Sequence, residues 1–243
     1  MKESVKYFEE NHYLKVEQVI SEEEASYFYD YVKLSAKRLG VLEERQPVLT
    51  EFDINNFGTF EDTQAPGDYS KYGDLAFDTL LARKLPLMEA MTGLELIPTY
   101  SYHRLYTTGT ELKRHKDRPS CEISTTLCLG YDTSNLEDKN WNWPMFVGPN
   151  TGEEGTEGKE IYMKPGDMII YRGCELRHWR DPFWGKNHAQ VFLHYNEKEG
   201  EYDIANDGRP LLGMRQEFRS QPDVEEKEKT AQVTEIKSKK IIY

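Results

Sequence analysis

The triplet His115-Lys116-Asp117 carries the first chemical signal in this chain. In an extended segment, residues i and i+2 face the same side, so an imidazole and a carboxylate would converge on one point. Downstream, His178 lies just after the strand-like run Gly166 to Gly173 and can supply a third donor. Two histidines and one carboxylate form a facial set of neutral and anionic hard donors that suits Fe(II). Three protein ligands leave the rest of an octahedral shell open for exogenous ligands, where a closed four-ligand cage would be purely structural.

Taken alone, the triplet also fits a solvated turn, because Lys113, Arg114, Lys116 and Arg118 surround it. The elements on either side favour the metal reading. A strand-like run bearing Tyr102 and Tyr106 precedes the triplet, and an apolar run, Ile123 to Leu129, follows it. Next come a Lys164-Pro165-Gly166-Asp167 turn, an apolar run, His178, and a final strand over 189–195. Strand-like runs cover 94–107, 121–130, 145–148, 159–164, 167–173 and 188–196, each bounded by Gly, Pro, Asn or Asp. Short, closely spaced strands predict a β-barrel or jelly roll.

Helices precede the strands. Ser21 with Glu24 is a capping box, and apolar residues at helical spacing extend it over 22–39, with Gly40 able to end it. A second amphipathic helix is predicted over 76–91, where Pro86 could split or kink it, and Gly93 suits its C-cap. Residues 13–20 read as a short strand or extended segment, and 41–75 as a long loop with short strands. The chain is expected to be α+β, a single domain over 1–220. That domain comprises helical support at 1–93 and a β core at 94–196; a charged tail occupies 221–243. Asn150 to Gly158 reads as an exposed acidic turn.

The 243 residues (28.5 kDa) carry 31 basic and 43 acidic side chains, a net charge of −12. Such a chain is a poor whole-surface match for nucleic acid or anionic membranes, and would suit a neutral or basic partner. No run of about 18 apolar residues predicts a membrane span, and the N-terminus has no apolar signal region. Three cysteines, Cys121, Cys128 and Cys174, with no Cys-x-x-Cys pair, predict free thiols and a cytoplasmic setting. Hydrolase, zincin and phosphate-loop motifs are absent.

Tyr100-Ser-Tyr-His-Arg-Leu-Tyr106, His115-Lys-Asp117, Pro165-Gly-Asp167-Met-Ile-Ile-Tyr171 and His178 occur in one order over about two-fifths of the chain. In this the sequence resembles the Fe(II)- and 2-oxoglutarate-dependent dioxygenases, most of all their prolyl 4-hydroxylase-like branch. The resemblance implies a double-stranded β-helix, a jelly-roll barrel with N-terminal supporting helices. It implies Fe(II) on His115, Asp117 and His178, with 2-oxoglutarate and O2 as cosubstrates and ascorbate as an accessory reductant. Tyr106 would line the cosubstrate pocket, with a hydroxyl from Thr125 or Thr126. Family members usually place an Arg or Lys about nine or ten residues after the distal histidine, to bind the far carboxylate. Here His188 occupies that place and Gln190 shares its face; Arg180 and Arg172 are the other candidates. The implied activity is hydroxylation of an unactivated C–H, foremost in a prolyl residue of a peptide or protein, with release of succinate and CO2. A small-molecule hydroxylase or a non-catalytic metal-binding jelly roll are the alternatives. Trp141, Trp143, Trp179 and Trp184 are expected near the mouth, as a platform for a proline ring or as a cover over the barrel end.

Overall fold

The computed structural model describes residues 2–46, 48–138, 141–148, 158–203 and 207–215. Two antiparallel sheets face each other, with helices packed on the outer face of the larger one. In chain order the elements are α1 (Glu3–Asn11), β1 (Tyr13–Val16), α2 (Glu22–Arg45), α3 (Glu51–Phe57), β2 (Tyr69–Tyr72) and α4 (Leu75–Thr92). Then follow β3 (Leu96–Thr107), β4 (Leu112–His115), β5 (Ile123–Asp132), β6 (Met145–Val147) and β7 (Lys159–Ile161). The last three are β8 (Met168–Arg172), β9 (His178–Arg180) and β10 (Asn187–Glu197). The larger sheet has the order β1-β8-β5-β10-β3-β2, and the smaller β4-β9-β6-β7. This is the α+β double-stranded β-helix that the strand pattern predicts.

Alternation divides the long strands between two cores. On β10, Ala189, Val191, Leu193 and Tyr195 join the core beneath the helices, with Phe77, Leu81 and other apolar residues. The intervening residues turn the opposite way: Phe192 and His194 line a cavity between the sheets. Tyr100, Tyr102 and Arg104 of β3 line the same cavity, while Leu105 packs with the helices. A period of two therefore builds a dry core on one face and a polar chamber on the other.

Several local expectations need correction. The Ser21–Glu24 capping box forms as predicted, with the Ser21 hydroxyl accepting from Glu24 N–H at 3.1 Å. Gly40, however, does not end α2, which continues to Arg45. Leu39 and Leu42 pack into the helical core on either side, which offsets the cost of about 1 kcal/mol for a helical glycine. Pro86 does not split α4, whose Leu85, Leu87 and Met88 anchor both sides of it to the core. The stretch 41–75 holds long irregular segments and the expected short strand, β2, paired with β3, but it also holds a helix, α3, which begins with a Thr50–Asp53 capping box. The Lys164-Pro165-Gly166-Asp167 turn forms, with Gly166 at φ 93°. Asp167 accepts from Gln18 and Lys164 N–H and pairs with Lys15, which ties β1 to the sheet. The acidic turn expected at 150–158 falls almost wholly outside the described residues, as does the tail at 221–243. No helix among the described residues is long and apolar enough to cross a membrane.

Candidate metal centre and cavity

β4 ends at His115 where β9 begins at His178, and the antiparallel register places the two residues opposite one another. Their ring centroids are 4.3 Å apart. Asp117, just past the end of β4, donates its N–H to the Gly173 carbonyl at 2.8 Å. Its Oδ1 thereby lies 3.6 Å from His115 Nε2 and 3.4 Å from His178 Nε2. One donor atom from each of the three residues lies within 4.8 Å of the others.

Tautomers follow from the partners. His115 Nδ1 faces the Lys113 carbonyl at 2.7 Å, and His178 Nδ1 faces the Leu176 carbonyl at 3.0 Å. A carbonyl only accepts, so each Nδ1 carries the proton and each Nε2 presents a lone pair to the common point. Burial works to raise the Asp117 pKa, but the charge of His178 and hydrogen bonds from His115 and His178 outweigh it and hold the carboxyl well below its usual range. Those contacts put a proton on Nε2, the place a divalent ion takes when both rings are neutral and offer it their Nε2 lone pairs. Asp117 Oδ2 is turned away and accepts from Ser124 Oγ at 2.8 Å. Ser124 Oγ also lies 2.9 Å from the Cys121 carbonyl and 3.0 Å from His194 Nδ1. Gly173 makes this approach feasible, because a Cβ there would sit 2.5 Å from Asp117 Oδ2 and 2.3 Å from the Cys121 carbonyl. Two neutral imidazoles and one oriented carboxylate fit an octahedral divalent ion with open positions.

The cavity that meets this centre measures about 690 Å3. Tyr72, Tyr100, Tyr102 and Phe192 form an apolar wall, and the segment from Gly58 to Gln64 extends the lining beside it, bridged to β2 through Thr59 and Ser70. Asp62 pins that segment: it pairs with Arg104 at 2.6 Å and accepts from the Tyr102 hydroxyl. At the inner end stands Arg180, two residues past His178 on the same face of β9 and fully buried. Its Nη1 donates to the Trp143 carbonyl at 2.7 Å, its guanidinium lies 4.5 Å from the Trp143 ring centroid, and its Nη2 has no partner. Burial pushes its pKa down to about 10, against the pull of nearby Tyr106, Cys128 and Tyr171. No carboxylate among the described residues pairs with it. An uncompensated buried cation is costly, which suits a place where an anion from outside completes the charge. Two further buried donor or acceptor atoms, Gln190 Nε2 and His188 Nδ1, are also unpartnered.

No protein-family model matches the sequence, and no curated protein does. Solved structures match it. A prolyl-4-hydroxylase from Pseudomonas putida superposes with a TM-score of 0.53 at 14% identity, covering 80% of this chain and 97% of that one. EctD from S. alaskensis gives 0.54 at 16% identity, over 84% of this chain and 80% of that one. An oxidoreductase of the 2OG-Fe(II) oxygenase family from Burkholderia pseudomallei gives 0.50 at 15%, over 79% and 89%. The chain has the fold of the 2OG-Fe(II) oxygenases.

Within this oxygenase fold Tyr106 and His188 meet Arg180 around the Trp143 ring, and Thr126 meets Gln190, while the other residues singled out in the sequence lie apart. Thr126 lines the cavity and donates to Gln190 Oε1 at 3.0 Å, whereas Thr125 accepts from Leu193 N–H. Tyr106 is fully buried, edge-on to Trp143, and its hydroxyl accepts from Arg104 Nη1 at 3.2 Å. His188 is enclosed by Tyr131, Trp143 and Phe183. Burial, reinforced by Arg180, drives its pKa well below the usual imidazole value, so it is neutral. Arg172 pairs with Glu175 and lies over Phe8, away from the cavity. The tryptophan platform at the mouth is not found. Trp143 sits beneath Arg180, Trp179 stacks on Phe146, Trp141 packs on Phe183, and Trp184 is exposed. Cys121 is a buried thiol against the Tyr100 hydroxyl, pushed up to about 11 by burial and nearby Asp117.

Sequence reasoning missed Ser124, Gly173 and the Arg104–Asp62 pair. Period-two alternation along Ser124, Thr126 and Cys128 is the signal that could have found the first.

Proposed function

We propose that this chain is an Fe(II)- and 2-oxoglutarate-dependent dioxygenase that hydroxylates a prolyl residue in a peptide or protein. Bound Fe(II), with 2-oxoglutarate and O2, supplies the oxidising power for C–H hydroxylation and releases succinate and CO2. His115, Asp117 and His178 would hold the metal through Nε2, Oδ1 and Nε2. The observation that carries the cosubstrate reading is Arg180, a buried cation with a spare donor and no counter-charge, on the same strand face as His178. Arg180 Nη2 would donate to the far carboxylate, in the role that alignment by sequence gives to His188. Gln190 is oriented by Thr126 and keeps Nε2 free as a second donor. Tyr106 takes a hydrogen bond from Arg104 and so keeps its own proton to donate inward. Neutral His188, with Trp143 and Phe183, packs the barrel end and excludes water.

The prolyl assignment draws support from the P. putida neighbour, a prolyl-4-hydroxylase. A small-molecule substrate is the second reading: one EctD structure holds 2-oxoglutarate and 5-hydroxyectoine, and its TM-score is 0.54. The apolar wall of Tyr100, Tyr102 and Phe192 suits a saturated ring in either case. The test is succinate release from 2-oxoglutarate with Fe(II) under O2, with proline-containing peptides and free amino acids as stimulants. Peptide-stimulated succinate supports the prolyl reading, and stimulation by free amino acids alone supports the second. No succinate under any condition overturns both.

A further inference from the structure

Ion pairing inside the cavity leaves a surplus of positive charge on one wall. Arg104 is matched by Asp62, and Lys71 by Asp74. Asp117 belongs to the metal centre and Arg180 to the inner anion site. Lys116 and Arg118 then remain on one side of the lining, with Glu61 as the remaining acid. Neither cation forms an ion pair with a carboxylate among the described residues. Both flank Asp117 in the sequence, are exposed, and line the cavity that it lines. Arg118 is held over the Tyr100 ring, 5.0 Å from its centroid, and Tyr100 packs on His194 at 4.5 Å. Arg104, almost wholly buried on the same cavity, has an Nε with no partner.

This local surplus sits in a chain of net charge −12. A cleft of one sign with low-dielectric walls concentrates ligands of the other, whatever the whole-molecule charge. We propose that the substrate is an anion: it carries a carboxylate that pairs with Lys116 and Arg118 while its reactive C–H faces the metal. The inference rests on the oxygenase reading for what happens at the metal. It reverses the expectation, drawn from total charge, of a neutral or basic partner. The carboxylate can belong to an acidic residue beside proline in a peptide or to a free amino acid. In either form, the aromatic wall takes the apolar part and the two cations the charge.

The test is equilibrium binding to protein loaded with Mn(II) in place of Fe(II), and with 2-oxoglutarate. The probes are dansyl-labelled Glu-Pro-Glu, Gln-Pro-Gln and Lys-Pro-Lys, with free L-proline and L-glutamate as competitors. The expected result is acid preference of about tenfold or more over the lysine peptide, weakening as salt is added. In the Lys116→Glu/Arg118→Glu variant the order should invert. Its Mn(II) affinity and thermal melt report that the triad and fold persist. Tight binding of the glutamate peptide identifies a peptide substrate, and displacement by free amino acids alone identifies a small one. Equal or tighter binding of the lysine peptide, an order unchanged in the variant, or no binding by any probe overturns the inference. Succinate assays separate the two readings. Acid-selective binding without succinate from Fe(II), 2-oxoglutarate and O2 overturns the oxygenase reading. Succinate with charge-blind binding overturns the anionic substrate.

Discussion

Ser124 Oγ stands 2.8 Å from Asp117 Oδ2, on the side of the carboxylate opposite the two histidines. One hydroxyl thus decides which oxygen faces the two histidines, and His194 at 3.0 Å steadies that hydroxyl. Partners of this kind, one step behind the ligands, typically account for about 10- to 100-fold in metal affinity. Ser124→Ala should weaken Mn(II) binding, measured by calorimetry, by an amount in that range while the thermal melt stays close to wild type. Unchanged affinity would mean that the Gly173 contact alone orients Asp117.

The Asp62–Arg104 pair should be a structural pin for the wall from Gly58 to Gln64. Burial works to raise the Asp62 pKa, yet the Arg104 guanidinium keeps it below the usual carboxylate range. Asp62→Asn leaves Arg104 buried without its counter-charge, so a destabilisation of about 3 kcal/mol is expected. Urea unfolding measures it, and proteolysis within 58–68 should quicken. A variant as stable as wild type would show the pair to be dispensable.

Acid should destabilise the protein through His103. Packed on Tyr69 and Phe77 with neither ring nitrogen partnered, it is pushed by burial from 6.5 down to about 3. Asp74 opposes the shift and Lys71 adds to it. The folded-state value lies below the unfolded one, so this stability is complete above about pH 6.5 and is lost as pH falls towards 3. The slope approaches about 1.4 kcal/mol per pH unit for one histidine. Urea unfolding at pH 7, 6 and 5 should show the decline, and His103→Phe should flatten part of it. A variant with the wild-type slope would exclude His103 as the source.

The sequence makes the candidate metal triad legible because a period of two is enough to pair His115 with Asp117. The order of turn, apolar run and histidine adds His178. What it hides is the register that sets His115 against His178. β4 and β9 are too short, at four and three residues, to show an alternation of their own. The same brevity conceals Arg180. Once His178 is placed at the start of a strand, its i+2 neighbour must share its face, whereas alignment to a more distant cation points to His188. Helix α3 escapes notice because its capping box uses Asp53 rather than Glu or Gln, amid turn-forming residues. Gly40 misleads in the opposite direction, since packing by Leu39 and Leu42 overrides a local stop signal.

The central claim is that 2-oxoglutarate spans the metal centre and Arg180, and calorimetric titration of 2-oxoglutarate into Mn(II)-loaded protein tests it most directly. Wild type should bind it only when metal is present. Arg180→Met should lose about 2 to 5 kcal/mol of that affinity, as expected for removing one partner of a buried charge pair. The same variant should keep its Mn(II) affinity and, free of cosubstrate, melt higher than wild type, because it no longer buries an uncompensated cation. His188→Gln should change 2-oxoglutarate affinity far less. Binding that survives Arg180→Met, or that collapses instead in His188→Gln, would contradict the account.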